Sequence, residues 1–337
     1  MIQEAIQKLV EGGSLSMEQA AAGMNEIMDG EATPAQFGAF VTALRMKGET
    51  PDEIAGMAQV MREKSLHVVI DGALVDTCGT GGDASHTFNI STSAAFVAAG
   101  AGLKVAKHGN RAMSGSSGSA DVLEALGVKI DLSPESVARC LNEVGFGFMF
   151  AQRYHPSMRF AAGPRREIGI RTVFNMLGPL TNPAGARSQV IGVADATIGE
   201  KMAQVLLRLG SKHALVVHGA DGMDEITVAG PSRIWEVKAG AVEETTVRPE
   251  DFGIPSAERK TIQVSSVIES AEVLRGVLAG NKGPARDVVL LNAAAGLLAA
   301  DAVPDIPAGI ELAARSIDTG RARASMDALV KLSQTLE

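Results

Sequence analysis

From Ile2 to about Ser65 the apolar positions recur three and four apart, as at Phe37, Phe40, Val41 and Leu44, and no stretch alternates like a strand. The spacing predicts an opening segment made only of helices. Three hydroxyl residues mark helix starts, each answered three places on by Gln or Glu: Ser16 with Gln19, Thr33-Pro34 with Gln36, and Thr50-Pro51 with Glu53. In such a capping box the hydroxyl and the later side chain each satisfy a backbone donor that the helix leaves orphaned, and proline suits the first helical position. Arg45-Met46-Lys47-Gly48 closes one helix, with cations in the last turn and glycine just past it.

After Ser65 the pattern changes to short apolar runs alternating with helical stretches. Ala73 to Thr77, Leu103 to Ala106, Phe146 to Phe150, Val190 to Ala194 and Ala214 to Val217 read as strands. Thr92 to Ala101, Gly118 to Leu126, Pro134 to Val144 and Ile198 to Leu209 read as helices between them. That alternation implies an α/β sheet, mostly parallel, with ligands at the carboxyl ends of its strands. Arg233 to Val237 and Ala241 to Arg248 read as a meander of edge strands, and Ser270 to Leu336 returns to helices. Val288 to Ala300 is nearly all apolar but falls short of the roughly 20 residues that span a bilayer, so a core helix is expected there. The change of period divides the chain into a helical domain, residues 1–65, and an α/β domain, residues 66–337.

Composition narrows the class. With 46% hydrophobic and 21% charged residues and 37 glycines in 337, the chain reads as globular and rich in tight turns. A formal net charge of -8 argues against a nucleic-acid partner, which calls for a basic face. Cys78 and Cys140 are too few for a disulfide framework and are expected as free thiols. The N-terminus lacks the basic-then-apolar pattern of an export signal, so a cytoplasmic protein with no membrane partner is expected.

Candidate chemistry gathers in two small-residue loops. The first is Asp76-Thr77-Cys78-Gly79-Thr80-Gly81-Gly82-Asp83, followed by Asn89-Ile90-Ser91-Thr92 at a helix start. Glycines cost conformational entropy unless positive φ or close approach is needed, and a helix N-terminus offers an anion both free N–H groups and the positive dipole end. A turn with simple helix caps is the plainer account, and both roles can coexist. The second loop, Lys107-His108-Gly109-Asn110-Arg111-Ala112-Met113-Ser114-Gly115, leaves another strand end and leads into Ser116-Ser117-Gly118-Ser119. Cations beside small hydroxyl residues suit a phosphate, and two such loops suggest a substrate carrying two phosphate groups.

These motifs, with Lys107 to Asp121 and Gly169-Ile170-Arg171-Thr172-Val173-Phe174-Asn175-Met176-Leu177-Gly178-Pro179-Leu180-Thr181-Asn182-Pro183, resemble the anthranilate phosphoribosyltransferases of tryptophan biosynthesis along essentially the whole chain. The resemblance implies a small all-helical domain, completed by a returning segment at about 168–190, joined to a larger α/β domain. It also implies transfer of phosphoribosyl from phosphoribosyl pyrophosphate to anthranilate in the cleft between them, and a homodimer formed through the helical domain. Carried over residue by residue, it assigns the phosphoribosyl pyrophosphate to Gly79, Gly82, Asp83, Thr87, Asn89, Ile90, Ser91, Thr92, Lys107, His108, Gly109, Asn110, Arg111, Ala112, Met113, Ser114, Gly115 and Ser119. Gly79, Asn110 and Arg165 are assigned to anthranilate, a guanidinium being able to grip a carboxylate with two parallel bonds. Ser91, Asp224 and Glu225 are assigned to magnesium, with two ions expected because adjacent acids point in different directions.

The residue types suit that reaction on their own terms. Breaking the bond at the sugar's C1 leaves an oxocarbenium-like centre and a pyrophosphate, so the work is charge neutralisation and positioning. No Ser-His-Asp or Cys-His arrangement stands out. His108 and His155 are candidate proton acceptors because imidazole titrates near neutrality. Ser116 departs from the longer or basic residue that many relatives carry. The rival readings are a nucleoside phosphorylase and a non-catalytic nucleic-acid-binding relative of the same fold.

Overall fold

The structure, a computed structural model, describes residues 1–112 and 117–337. Four helices open the chain: α1 (Ile2–Val10), α2 (Met17–Asp29), α3 (Pro34–Lys47) and α4 (Pro51–Glu63). All three capping boxes form, with Ser16, Thr33 and Thr50 accepting from the N–H three residues on and Gln19, Gln36 and Glu53 returning the bond. The third also ties the bundle together. Glu53 is fully buried, and its carboxylate accepts from the Leu15 N–H at 2.9 Å and from Lys47 Nζ at 3.0 Å. A buried carboxylate is tolerated when it is so partnered.

Strands and helices then alternate. β1 (Leu74–Gly79), α5 (Ile90–Gly100), β2 (Lys104–Gly109), α6 (Ser119–Leu126), α7 (Pro134–Glu143) and β3 (Phe146–Phe150) come first. Short α8 (Ala151–Tyr154), α9 (Arg159–Ile168) and α10 (Phe174–Leu177) lead back to β4 (Ser188–Gly192), α11 (Gly199–Arg208), β5 (His213–Gly219), β6 (Ser232–Lys238) and β7 (Ala241–Val247). The chain ends with α12 (Val267–Leu278), α13 (Pro284–Ala299), α14 (Ile306–Asp318) and α15 (Arg321–Ser333).

Among the described residues seven strands form one sheet in the order β3-β2-β1-β4-β5-β6-β7, parallel from β3 to β5 and antiparallel over the last two pairings. The chain steps outward from β1 through β2 to β3, then crosses to the other side of β1 with β4. Strand order therefore reverses at the β1/β4 pair, the place where an open α/β sheet leaves a crevice at its carboxyl ends.

Several strands run past the apolar runs that predict them. β2 continues to Gly109, with Lys107, His108 and Gly109 in register with Phe148, Met149 and Phe150 of β3. Ladder hydrogen bonds join backbones and are indifferent to side-chain polarity, so pairing persists where the apolar pattern stops. The consequence is functional: Lys107 and His108 sit on a strand, buried at 1% and 6% exposure, rather than in the loop beyond it.

Alternating sheet residues feed two cores. Val190, Leu215 and Val217 face the cluster made with α5, α12, α13, α14 and α15, whereas Ile191, Ala214, Val216 and Trp235 face the cluster that includes α11 and the N-terminal helices. The segment before β4 joins that second cluster through Val173, Phe174, Leu177 and Leu180, with the Phe174 ring 5.4 Å from that of Phe37. Arg62 Nε donates to the Leu180 carbonyl at 2.6 Å. Pro179 lies within a 3-10 turn, Gly178–Leu180, that follows α10 directly. Every residue of α13 from Val288 to Ala299 is buried. Among the described residues no helix is long and apolar enough to cross a membrane.

Candidate active site

The first glycine loop leaves the carboxyl end of β1 beside β4, and the acid pair lies over it. Asp224 Oδ2 accepts the Gly81 N–H at 2.8 Å. A Cβ on Gly79 would fall on the Asp224 carboxylate, and one on Gly192, at the end of β4, on the Asp224 backbone. Both glycines are thus required by the close approach of the acid loop. Gly81 and Gly82 have φ of +65° and +78°, a left-handed pair that turns the loop under Asp224 and Asp83. Asp83 stands within hydrogen-bonding reach of Asp224, and burial together with that neighbour pushes the Asp224 carboxyl up to about 7.

Glu225 points the other way, toward the start of α5. There Asn89 caps the helix, its Oδ1 accepting from the Thr92 N–H at 3.0 Å, while the Ser91 N–H faces the Glu225 carboxylate. Burial first, then Asp224, raise the Glu225 pKa well above the carboxylate range, and Lys107 opposes them. Lys107 reaches across from β2: Nζ donates to the Thr77 carbonyl and, at 3.1 Å, to Ser91 Oγ. Two strand ends, a helix N-terminus and the β5–β6 loop therefore converge on Lys107, Ser91, Asp83, Asp224 and Glu225.

Behind this cluster lies a strut that was not apparent from the sequence. Asp76, wholly buried on β1, accepts from Asn182 Nδ2 at 2.8 Å and from the His108 N–H at 3.3 Å, while Asn182 Nδ2 also donates to the Ala106 carbonyl at 2.8 Å. Burial raises the Asp76 carboxyl to about 6, and Lys107 works against that rise. Asp76 belongs to the first motif and Asn182 to the third, but only folding brings them together. Arg171 is a second such residue: its guanidinium donates to the Gly81 carbonyl at 3.4 and 3.5 Å, strapping the segment after α9 to the glycine loop.

On the other side of β2, His108 Nδ1 donates to the Gly178 carbonyl at 3.2 Å, and its Nε2 faces His155 Nε2 at 3.2 Å. Burial, then the neighbouring imidazole, lower His108 to about 3, and burial lowers His155 to about 4. Both rings are neutral at pH 7. A general acid or base works best with a pKa near the operating pH, so this pair is better suited to fixing the pocket wall than to moving protons. Arg165, half-buried on α9, lies 5.1 Å from the Phe174 ring centroid, whereas Arg166 is exposed. Desolvation lowers the Arg165 pKa, with no carboxylate among the described residues offsetting it. A guanidinium so placed has its donors available to an incoming carboxylate.

Other expected residues stand apart from the cluster. Arg111 is turned onto α6, paired with Glu124 and with Asp121 at 3.1 Å, and stacks 5.6 Å from the Phe150 ring centroid. Arg111, Glu124, Phe150 and Arg153 line a cavity of about 400 Å3 that none of the clustered acids reaches. Asn110 is exposed, and its side chain accepts the Arg111 N–H at 2.8 Å. The Ala112 and Gly118 N–H groups both donate to Asp121, and Ser119 Oγ donates to the Asn110 carbonyl at 3.4 Å. The Ile90 side chain is buried in the core, Thr92 Oγ1 is buried without a hydrogen-bond partner, and Thr87 bridges to Gln263. Met113, Ser114, Gly115 and Ser116 lie outside the described residues.

The donor set fits a hard divalent cation. Asp83, Asp224 and Glu225 crowd together, Lys107 opposes the charge at Glu225, and the adjoining donor is the Ser91 hydroxyl, an all-oxygen set. Among the described residues no group of three His, Cys, Asp or Glu side chains forms a ready-made metal cage. Magnesium needs none, since it takes one or two carboxylates and completes its shell with substrate phosphates and water.

Compared with known proteins, residues 71–323 match the a/b domain of a glycosyl transferase family, and residues 3–65 match its helical bundle domain. The chain is 58% identical over 335 residues to an anthranilate phosphoribosyltransferase of Chloroflexus aurantiacus, covering 99% of both. A solved anthranilate phosphoribosyltransferase from Thermus thermophilus superposes with a TM-score of 0.93 at 42% identity, over 98% of this chain and 99% of that one. One from Saccharomyces cerevisiae, solved in complex with PRPP and Mg, gives 0.91 at 27% identity over 99% and 98%.

Proposed function

The chain belongs to the anthranilate phosphoribosyltransferases of this glycosyl transferase family, and we infer that it transfers the phosphoribosyl group of phosphoribosyl pyrophosphate to the amine of anthranilate, releasing pyrophosphate, in tryptophan biosynthesis. The observation that carries this reading is the convergence of Asp224 on the Gly81 N–H and of Glu225 on Ser91 and Lys107. That arrangement suits a magnesium diphosphate. The acid pair spans the first loop and the α5 N-terminus, so we assign the diphosphate there, with Asp83, Ser91, Asp224 and Glu225 holding two magnesium ions. When bound, the metal would neutralise the charge that gathers on the leaving pyrophosphate.

The remaining roles belong to the chain's own groups. Lys107 places its side-chain nitrogen beside the leaving group, and the Gly82 and Asp83 backbone presents N–H donors to it, the Gly81 N–H being held by Asp224. Arg165 receives the anthranilate carboxylate, and we assign Asn110 and the Gly79 backbone to the same acceptor. The neutral His108 and His155 pair forms a buried wall next to the acceptor. The anthranilate amine is already uncharged at neutral pH, so it can attack C1 without first losing a proton. Water excluded from the cleft cannot trap the sugar cation.

Residues 1–65 with about 168–190 form the helical domain in this reading, and residues 66–337 the α/β domain. Val10 and Met46, exposed at 69% and 84% on the helical bundle, support a homodimer through that domain. We place the enzyme in the cytoplasm, where Cys78 and Cys140 would stay reduced.

Mixing the protein with phosphoribosyl pyrophosphate, magnesium and anthranilate should consume the acceptor, read as loss of anthranilate fluorescence. No loss at high protein concentration would sink the assignment. In the same assay Arg165→Ala should raise the KM for anthranilate by ~10- to 100-fold, the scale of a lost charge-assisted pair, while the KM for phosphoribosyl pyrophosphate moves little. The reverse pattern would move that arginine to the sugar phosphate.

A further inference from the structure

The helix α13 carries one polar side chain in the middle of its buried apolar run, Val288-Val289-Leu290-Leu291-Asn292-Ala293-Ala294-Ala295. Asn292 is 2% exposed, where an unpartnered amide would be costly. Its partners explain the choice. Asn292 Oδ1 accepts the Ile226 N–H at 3.0 Å, and Nδ2 donates to the Ile226 carbonyl at 2.9 Å and to the Val288 carbonyl one turn back at 2.9 Å. The amide grips both backbone groups of one residue as a neighbouring strand would, and its own helix holds it in place.

Ile226 is the residue directly after Asp224 and Glu225. On their other side the chain is set by a tight turn, in which the Gly219 N–H donates to the Met223 carbonyl at 2.9 Å and the Gly222 N–H to the Gly219 carbonyl at 2.8 Å. Asp221 reinforces it by accepting from Thr227 Oγ1 at 2.9 Å. The two acids occupy the short span between that turn and the Asn292 clamp. They need such a clamp, because adjacent half-buried carboxylates that repel one another would otherwise swing apart.

We propose that Asn292 is a positioning residue for the cation site: by clamping both backbone groups of Ile226 it sets the direction in which Asp224 and Glu225 present their oxygens to magnesium. It touches neither substrate nor metal. This rests on the assignment of Asp224 and Glu225 to magnesium. An outer partner of a metal ligand typically changes metal affinity by about 10- to 100-fold when lost.

The discriminating variant is Asn292→Asp, which keeps the shape and the acceptor for the Ile226 N–H but removes both donated bonds. The magnesium concentration for half-maximal rate should rise ~10-fold or more, with the anthranilate KM within about twofold of wild type. Independently of turnover, the rise in Tm that magnesium gives at a fixed concentration of phosphoribosyl pyrophosphate should need correspondingly more magnesium. Asn292→Ser, which leaves a smaller hydroxyl in the same helix, serves if the aspartate variant does not fold, and is read in the same two ways. A folded variant with an unchanged magnesium titration, or one in which the anthranilate and magnesium constants shift equally, would overturn the proposal. Wild-type protein that transfers without magnesium and shows no magnesium-dependent Tm shift would instead remove the assignment of the acid pair on which it rests.

Discussion

Asp224→Asn and Glu225→Gln are each expected to lower kcat/KM by ~100-fold or more and to raise the magnesium concentration needed for half-maximal rate, while making the metal-free protein more stable. The two halves of that result share one cause. Asp224 and Glu225 are half-buried beside one another, with the Asp83 carboxyl close to Asp224, and desolvation is the largest influence raising the pKa of Asp224 and of Glu225. Without a divalent cation, that arrangement costs the fold free energy. An isosteric amide removes the charge, keeps the shape and, at position 224, keeps an oxygen to accept the Gly81 N–H. Removing such repulsion at a functional site commonly stabilises by ~0.5–2 kcal/mol at the expense of activity. Thermal denaturation in chelator should show the rise in Tm, and a magnesium titration of the initial rate the loss of affinity. Unchanged titrations in both variants would take the pair out of the site, and a fall in Tm without metal would show that the acids are structural.

Lys107→Met should abolish measurable transfer and destabilise the protein by about 3 kcal/mol at pH 8, and by less at pH 5. Lys107 is 1% exposed, donates to the Thr77 carbonyl and Ser91 Oγ, and supplies positive charge to Asp76 and Glu225. Methionine fills the volume but leaves those carboxylates uncompensated. The pH dependence follows from Asp76. Its folded pKa, about 6, already lies above the ordinary value of 3.8, because burial outweighs Lys107. Between those values the native state binds more protons than the unfolded chain, so this group's contribution falls as pH rises from about 4 to 6. Loss of the ammonium raises the folded value further and extends the window upward, with Glu225 shifting in the same direction. The variant should therefore lose ground to wild type steadily from pH 5 to pH 8 in urea denaturation. Equal destabilisation at both ends would mean that packing, not charge, is what Lys107 contributes.

The local chemistry of this protein was written in its sequence. Each capping box, at Ser16, Thr33 and Thr50, forms as the spacing requires, because a cap depends on residues three apart and on nothing distant. The alternation of strands and helices after residue 65 likewise follows from periodicity, as does the buried helix through Val288 to Ala299. Glycines at 81 and 82 announce left-handed backbone, and it is there.

Folding alone decided which distant residues would meet. Lys107 and His108 became buried strand residues because β3 paired with their backbone, an event that side-chain polarity does not reveal. Asp76 found Asn182 across 106 residues, Asn292 found Ile226 across 66, and Arg171 found Gly81 across 90. Arg111, which the sequence places among phosphate-binding cations, pairs with Asp121 and Glu124 of α6. His108 and His155 look like titrating groups in sequence, yet mutual burial holds both neutral. A residue's type states what it can do. Its burial, partners and local charge, which depend on contacts far along the chain, decide which of those things it does.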